Sequence, residues 1–188
     1  MKERWRARQE LVERALQAEL DRTDVLDDTL RQAMAYSLMA GGKRLRPVLL
    51  MAAADAVGAD GAKFLSVACA LEMIHTYSLI HDDLPAMDND DYRRGKLTNH
   101  KVFGDGIAIL AGDGLLTLAF TVILRQQDVS ADTLLRVVDE ISRAAGAEGM
   151  VGGQVLDLRA EEHRISMEEM RRVHMGKTGA LFRAALRS

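Results

Sequence analysis

The sequence predicts an all-α protein, and three observations lead to that class. Hydrophobic residues recur with the 3.6-residue period of a helix, and no segment alternates convincingly in the way of a β-strand. Only two prolines occur, Pro47 and Pro85, so long helices can form over nearly the whole chain. Ala, Leu and Met are abundant while aromatic residues make up 4%, which favours a helical core.

The periodic segments follow one another without a linker, so residues 1–188 are expected to form a single domain. The predicted helices cover residues 6–20, 25–40, 47–57, 60–83, 105–125, 130–145, 148–162 and 166–187. Asp105 or Gly106, and Ser130, are typical helix starts, and the glycines at Gly41 and Gly42 are typical of a helix end. The last segment reaches Ser188 without a stop signal, which suggests that the chain ends inside an element.

Composition excludes several classes of function. The net charge of −3 argues against nucleic acid and anionic membranes as partners. The single Cys69 lies in an apolar run and indicates a buried thiol in a reducing compartment, so a cytoplasmic location is expected. The charged start lacks a secretory signal, and the apolar run 114–124 is too short for a membrane span.

A basic turn, "GGKRLRP", precedes the helix that contains Pro47 in its first turn. Lys43, Arg44 and Arg46 therefore lie at a helix N-terminus, where the helix dipole disfavours cations. Exposed N–H groups and basic side chains in one place suit an anion such as phosphate. A solvated basic turn with no ligand is an equally good interpretation of this segment alone.

An acidic segment, "HDDLPAMDND", has the opposite arrangement. Asp82 and Asp83 are placed at the end of a helix, which Pro85 stops and whose dipole disfavours carboxylates there. A divalent cation would remove both the repulsion between the carboxylates and their unfavourable interaction with the dipole, and clustered oxygen ligands suit Mg²⁺. The break at Pro85 lets Asp88 turn back towards Asp82. A solvated acidic loop is the alternative, against which the apolar residues at 84–87 argue.

Polar residues continue from this cluster along the preceding helix. His75 and Ser78 share a face with Asp82, because seven residues make two helical turns. A lone histidine on an apolar helix is usually a core residue, but this polar stripe favours a functional role. After the cluster, Arg93 and Arg94 either neutralise the acids at the surface or hold a second anionic group.

Two glycine-containing segments are unusual inside helical patterns. "GMVGGQVLDL" places Gln154 and Asp157 on one face, and its glycines allow close packing of helices. "HMGKTGAL" surrounds Lys177 and Thr178 with glycines, and a kinked helix there would direct both inward. Taken alone, Lys177 is more simply interpreted as a surface lysine.

These motifs together resemble the trans-isoprenyl diphosphate synthase family, and most closely its bacterial farnesyl diphosphate synthases. The resemblance covers about residues 34–186 and includes "GGKRLRP", "IHTYSLIHDDLPAMDNDDYRRG", "NHKVFGDGIAILAGDGLLTLAF", "GGQVLDL" and "HMGKTGAL" in the family order. It implies an isoprenoid-synthase-type bundle of antiparallel helices around a central cavity, usually in a homodimer without membrane insertion. It also implies condensation of an allylic diphosphate, dimethylallyl or geranyl, with isopentenyl diphosphate.

The resemblance assigns roles to individual residues. Asp82 and Asp88 are expected to coordinate Mg²⁺, with support from Asp83, and the metal to hold the allylic diphosphate. The other residues implied in binding the allylic substrate are Arg93, Lys177, Gln154 and Thr178, the last of these near the developing cation. The residues implied in binding isopentenyl diphosphate are Lys43, Arg46, His75 and Arg94.

Product length is expected to follow from the residues just before the first aspartate. Tyr77, with Ser78 beside it, is bulky and favours a farnesyl over a geranylgeranyl product. Family members also carry a second aspartate-rich motif further along the chain. Since this sequence ends at Ser188 before any such motif, it is expected to be the N-terminal part of a synthase, with half the metal site and exposed apolar faces.

Three alternatives stay open at this point. The first is a geranylgeranyl diphosphate synthase. The second is a non-catalytic diphosphate-binding subunit or fragment, which Mg²⁺-dependent binding without turnover would support. The third is a metal-dependent phosphohydrolase built on His81 and Asp82, but His100, His163 and His174 lack the paired spacing that such a site needs.

Overall fold

The computed structural model describes residues 2–162 and 165–188, and regular structure in that part of the chain is nearly all helical. The helices are α1 (Lys2–Arg22), α2 (Asp28–Leu38), α3 (Leu45–Ala56), α4 (Leu65–Asp82), α5 (Asn99–Phe103), α6 (Asp105–Ile123), α7 (Ala131–Ala145), α8 (Met150–Glu162), α9 (Met167–Val173) and α10 (Ala180–Arg187). The all-α prediction is confirmed in these residues. The predicted segment 6–20 is part of α1, and the expected starts near Asp105 and Ser130 are correct.

Local capping explains where the predicted boundaries differ from the observed ones. The Asp27 carboxylate accepts hydrogen bonds from the N–H groups of Thr29 and Leu30 at 2.8 and 3.1 Å, so α2 begins after Asp27 rather than at residue 25. Gly61–Phe64 form a 3₁₀ turn before α4 instead of its first α-helical turn. Such a turn is a common helix entry and has no distinctive hydrophobic period.

A small hairpin corrects the expectation that the chain contains no strands. Strands β1 (Tyr92–Arg93) and β2 (Lys96–Leu97) pair in antiparallel register. The two turn residues Arg94 and Gly95 have φ values of 55° and 79°, as a type I′ turn requires. Two-residue strands are too short to show alternation, which is why the sequence pattern missed them.

The predicted helix 166–187 is interrupted. After α9 the residues His174–Gly179 form a π-helical turn, and α10 follows. A Cβ on Gly153 of α8 would lie 2.6 Å from the carbonyl carbon of Gly176, so the two backbones touch at this point. The glycines predicted to allow close helix packing do so here, and the kink predicted around Lys177 is present as the π turn.

Helices α4 and α6 form the centre of the core and pack along each other, while α1, α2, α3 and α10 cover them. The length argument against a membrane span fails, because the run 114–124 continues α6, a helix of 19 residues (Asp105–Ile123) with mean hydropathy 1.9. The segment Gly61–Asp82 also passes the length and composition test for a span. Helices at the core of a folded domain have the same character, so this feature alone assigns no membrane span.

Candidate functional site

Two cavities lie side by side along the C-terminal half of α4 and share a wall. The first, here called the cationic cavity, has a volume of about 460 Å³ and is bounded by residues 42–46, Glu72, His75, Arg94 and Phe182. The second, here called the apolar cavity, has a volume of about 420 Å³. Its walls include Met150, Val151, Val155 and Leu158 of α8, with polar groups from α4 and the π turn. Arg46 and His75 line both cavities.

The cationic cavity brings together the four residues that the family resemblance assigned to one diphosphate: Lys43, Arg46, His75 and Arg94. Arg94 comes from the hairpin, and its guanidinium donates a hydrogen bond to the Gly41 carbonyl. A Cβ on Gly42 would lie 2.6 Å from Arg94 Nη1, so glycine is needed for this approach. The loop, the start of α3, the hairpin and α4 thus place three cations and an imidazole around one space.

Arg44 lines the cationic cavity, but its guanidinium is bound by other groups of the protein and is not free for an anion, which corrects its grouping with Lys43 and Arg46. It is the N-cap of α3 with a φ of 47°, and this left-handed backbone turns its side chain into the core. The guanidinium donates to the Glu13 carboxylate at 2.7 and 3.0 Å and to Glu72 Oε1 at 2.9 Å. A fourth bond reaches the Leu38 carbonyl at 2.7 Å. Glu72, which lies within the apolar first half of α4, was the available sequence signal for this partner.

Burial and nearby cations govern the electrostatics of the shared wall. Burial, and then the charges of Arg46 and Arg94, lower the pKa of His75 to about 3. The imidazole is therefore neutral at pH 7 and can donate one hydrogen bond to an anion. Within the described residues, Arg46 Nε is buried without a hydrogen-bond partner, and its guanidinium carbon lies 4.6 Å from the Phe182 ring centre. An anion in the cavity would satisfy this unpaired donor.

The acidic segment folds back as the sequence predicted. Helix α4 ends at Asp82, and the Asp88 N–H donates to the Asp82 carbonyl at 2.8 Å. Burial, with a further contribution from the charge of Asp88, raises the pKa of Asp82 to about 6, although Lys177 acts in the opposite direction. Two nearby carboxylates at a helix C-terminus thus carry an unfavourable charge that a divalent cation would compensate.

The donor set fits Mg²⁺ bound together with a substrate. Among the residues that the structure describes, no group of three or more His, Cys, Asp or Glu is arranged to hold a metal ion. Mg²⁺ needs only one or two protein carboxylates when phosphate oxygens and water complete its octahedral shell. Asp82 lines the apolar cavity and Asp88 is exposed beside it, which leaves space for those further ligands.

Asp83 and Arg93 are not brought to the apolar cavity. The Arg93 guanidinium donates to the Asp83 carboxylate at 2.8, 2.9 and 2.5 Å, and both residues line a small cleft under the hairpin. Adjacent positions on a helix are separated by about 100° around its axis, so Asp83 faces away from Asp82. This ion pair connects the hairpin to the end of α4.

Three residues that were predicted to bind the allylic substrate line the apolar cavity: Gln154 on α8, and Lys177 and Thr178 on the π turn. Lys177 Nζ donates to an Asp157 carboxylate oxygen at 2.5 Å. Burial lowers the pKa of Lys177, but this bond and the charge of Asp82 raise it overall, so the ammonium group stays charged. Gln154 Nε2 is buried and has no partner among the described residues.

The residues predicted to limit product length also line this cavity. Tyr77 is buried, and its ring meets the His81 ring edge-on with the centroids 5.7 Å apart. The Ser78 hydroxyl donates to the His75 carbonyl at 2.8 Å. His81 lines the cavity too and was missed as a member of this group. Its position four residues after Tyr77, on the same helix face, was the available signal.

A helical fold with a cation-lined cavity beside an apolar one defines a class of protein that binds anionic ligands with apolar bodies. Comparison with known proteins identifies the family. Residues 27–188 match the polyprenyl synthetase family, and the chain belongs to it. The structure superposes with a TM-score of 0.95 on a geranyltransferase from Legionella pneumophila, 39% identical, covering 98% of this chain and 66% of that one. The expected isoprenoid-synthase fold is thereby confirmed.

Curated relatives have more than one product name. The farnesyl diphosphate synthase of Bacillus subtilis (strain 168) is 52% identical over 176 residues, which are 93% of this chain and 59% of that protein. Geranylgeranyl pyrophosphate synthase 9 (chloroplastic) of Arabidopsis thaliana is 51% identical over 162 residues, 84% of this chain and 45% of that protein. The chain therefore spans about half the length of such relatives.

Proposed function

We propose that this protein is a short-chain trans-prenyltransferase that joins an allylic diphosphate to isopentenyl diphosphate. The observation that carries the proposal is the shared wall: Arg46 and His75 line both cavities, so two diphosphates bound there would be neighbours. In this proposal the cationic cavity takes isopentenyl diphosphate. The apolar cavity takes the allylic substrate, with its tail against α8 and its diphosphate at Asp82.

The chemistry requires an allylic carbon–oxygen bond to break, with the electron pair leaving on the diphosphate. Asp82 and Asp88 are the residues that would hold Mg²⁺, which when bound neutralises charge on the departing group. Lys177 reinforces this effect as a fixed cation at the same cavity. The Thr178 carbonyl or hydroxyl would face the allylic cation. The double bond of isopentenyl diphosphate attacks that cation, and the proton then lost passes to the released diphosphate.

The apolar wall contributes by excluding water, which would otherwise capture the cation. The pKa of Tyr77 is raised to about 12, first by burial and then by the charge of Asp82, so its phenol stays neutral beside the tail. Tyr77, with Ser78, is proposed to limit the product to farnesyl diphosphate. A homodimer and a cytoplasmic location are part of the proposal on the strength of the family resemblance and the composition.

Product analysis tests the proposal. The protein is incubated with geranyl diphosphate, isopentenyl diphosphate and Mg²⁺, and the dephosphorylated products are separated by chain length. Farnesyl product is expected, with longer products from Tyr77→Ala and none from Asp82→Asn. Asp91→Asn is the matched control, because Asp91 is an exposed acid that pairs with Lys101 at 2.8 Å. Phosphate release from simple phosphoesters without condensation would overturn the proposal.

A further inference from the structure

Helix α6 packs against His81, a residue of the apolar cavity that has no role in the proposed mechanism. Gly112 is buried in the middle of α6 and lies directly against the His81 ring. A Cβ at Gly112 would lie 2.5 Å from His81 Cδ2 and still closer to Nε2. Glycine inside a helix costs about 1 kcal/mol relative to alanine, so this position has a reason to lack a side chain.

The His81 ring is held in place from several directions. Its Nε2 lies 3.0 Å from the Ile109 carbonyl of α6, which fixes this nitrogen as the donor in that bond. The Asp113 carboxylate is 3.9 Å from the same nitrogen. On the other side Tyr77 meets the ring edge-on. His81 thus fills the space between α6 and the residue proposed to limit the tail.

We infer that His81 and Gly112 are specificity-determining residues that set the width of the tail-binding end of the apolar cavity. Gly112 gives the His81 ring room against α6, and the ring in turn supports Tyr77. A side chain at position 112 would push the ring away from α6 and therefore into the cavity that it lines. The cavity would become narrower, and longer tails would be affected more than shorter ones.

This inference rests on the proposed function, because it assumes that the tail of an allylic diphosphate occupies this cavity. The probes are geranyl and farnesyl S-thiolodiphosphates, in which a bridging sulfur slows ionisation, and their binding with Mg²⁺ is measured by calorimetry. The ratio of the two dissociation constants is the quantity of interest. Both probes carry the same diphosphate, so changes at Asp82 cancel in this ratio.

Gly112→Ala is expected to weaken binding of the farnesyl probe about tenfold more than that of the geranyl probe, as loss of about 1.4 kcal/mol would do. Gly106→Ala on the same helix is the matched control, since a Cβ there meets nothing within 4 Å. His81→Ala is expected to shift the ratio the other way, towards the longer tail. In the His81→Ala background, Gly112→Ala should have no further effect on the ratio.

Each outcome has a distinct meaning. A Gly112→Ala effect that persists without the His81 ring, or an unchanged ratio in His81→Ala, would overturn the inference while leaving the proposed function intact. If the wild-type protein binds neither probe with Mg²⁺, the proposed function itself fails. If Gly112→Ala does not fold alone, the double variant with His81→Ala restores the space, and the ratio in His81→Ala decides the question.

Discussion

The cationic and apolar cavities share two residues but balance their charges differently. Beneath the cationic cavity, Arg44 is held by Glu13 and Glu72 in the core, where its side chain is only 1% exposed. At the apolar cavity, Lys177 pairs with Asp157, and these side chains are 28% and 35% exposed. A buried network fixes its loop before any ligand arrives, whereas partly solvated pairs can exchange partners. The first cavity is therefore preorganised, whereas the second, in the proposed function, would be completed by a metal and a substrate.

The largest expected effect comes from breaking the buried network. Arg44→Met leaves the Glu72 carboxylate, which is 3% exposed, without its cation. Loss of one partner of a buried ion pair costs about 3–5 kcal/mol in the free energy of unfolding. Urea unfolding followed by circular dichroism measures this change. Arg143→Met is the control, because the Arg143–Glu148 pair is exposed at 61% and 65% and should contribute little to stability.

A loss below about 1 kcal/mol for Arg44→Met would mean that the network does not fix this loop. The double variant Arg44→Met/Glu72→Leu sharpens the result. Replacing both charged partners by apolar groups is often close to neutral, so stability should largely return. The Glu13 side chain is 33% exposed, so water can solvate its carboxylate when Arg44 is absent.

The next largest effect concerns ligand binding, which should depend on Mg²⁺ in the apolar cavity but not in the cationic cavity. Asp82→Asn should weaken Mg²⁺-dependent binding of geranyl S-thiolodiphosphate by about tenfold to a hundredfold, because one charged ligand worth about 1.5–3 kcal/mol is lost. Binding of isopentenyl diphosphate should be unchanged. Calorimetry with each ligand measures both effects. Equal losses for the two ligands would show that the cavities are not separate sites.

A substitution in the cationic cavity should have a somewhat smaller effect on ligand affinity. Lys43→Gln is expected to weaken isopentenyl diphosphate binding about tenfold through loss of one charge-assisted contact, and to leave the allylic probe unaffected. Lys63→Gln, at an exposed position of the 3₁₀ turn, is the control for a general loss of positive charge. If both lysine variants behave alike, attraction to the ligand is diffuse rather than local.

The remaining prediction concerns the pH dependence of stability rather than ligand binding. His75 has a pKa of about 3 in the folded protein, below an unfolded value near 6.5. Between these values the unfolded chain binds more protons, so the contribution of His75 to stability is full above pH 6.5 and decreases as the pH falls towards 3. The free energy of unfolding of His75→Asn should therefore vary less steeply between pH 4 and 6.5. Parallel profiles for the two proteins would contradict the assigned pKa.

Sequence reasoning was reliable where one local rule decided the outcome. Pro85 predicted the end of α4 and the return of Asp88, and Ser130 predicted the cap of α7. The glycines before Gln154 predicted close packing of helices, and the structure contains a close backbone approach between Gly153 and Gly176. These features depend on neighbouring residues or on the absence of a side chain, and both are visible in the sequence.

Features that depend on partners distant in sequence were not predictable in this way. The grouping of Arg44 with Lys43 and Arg46 ignored its left-handed backbone and the two glutamates 31 and 28 residues away. His81 gained its importance from Gly112 on another helix. The roles that the family resemblance assigned to Asp83 and Arg93 stay predictions, since these residues pair with each other outside the apolar cavity.

The most direct measurement is calorimetric titration of the protein with isopentenyl diphosphate and with geranyl S-thiolodiphosphate, each with Mg²⁺ and with EDTA. A preorganised cationic cavity beside a metal-completed apolar cavity predicts that the first ligand binds equally under both conditions and the second only with Mg²⁺. It also predicts that saturation with one ligand leaves a site for the other. The same metal dependence for both ligands, or displacement of one by the other, would contradict the presence of two cavities with separate tasks.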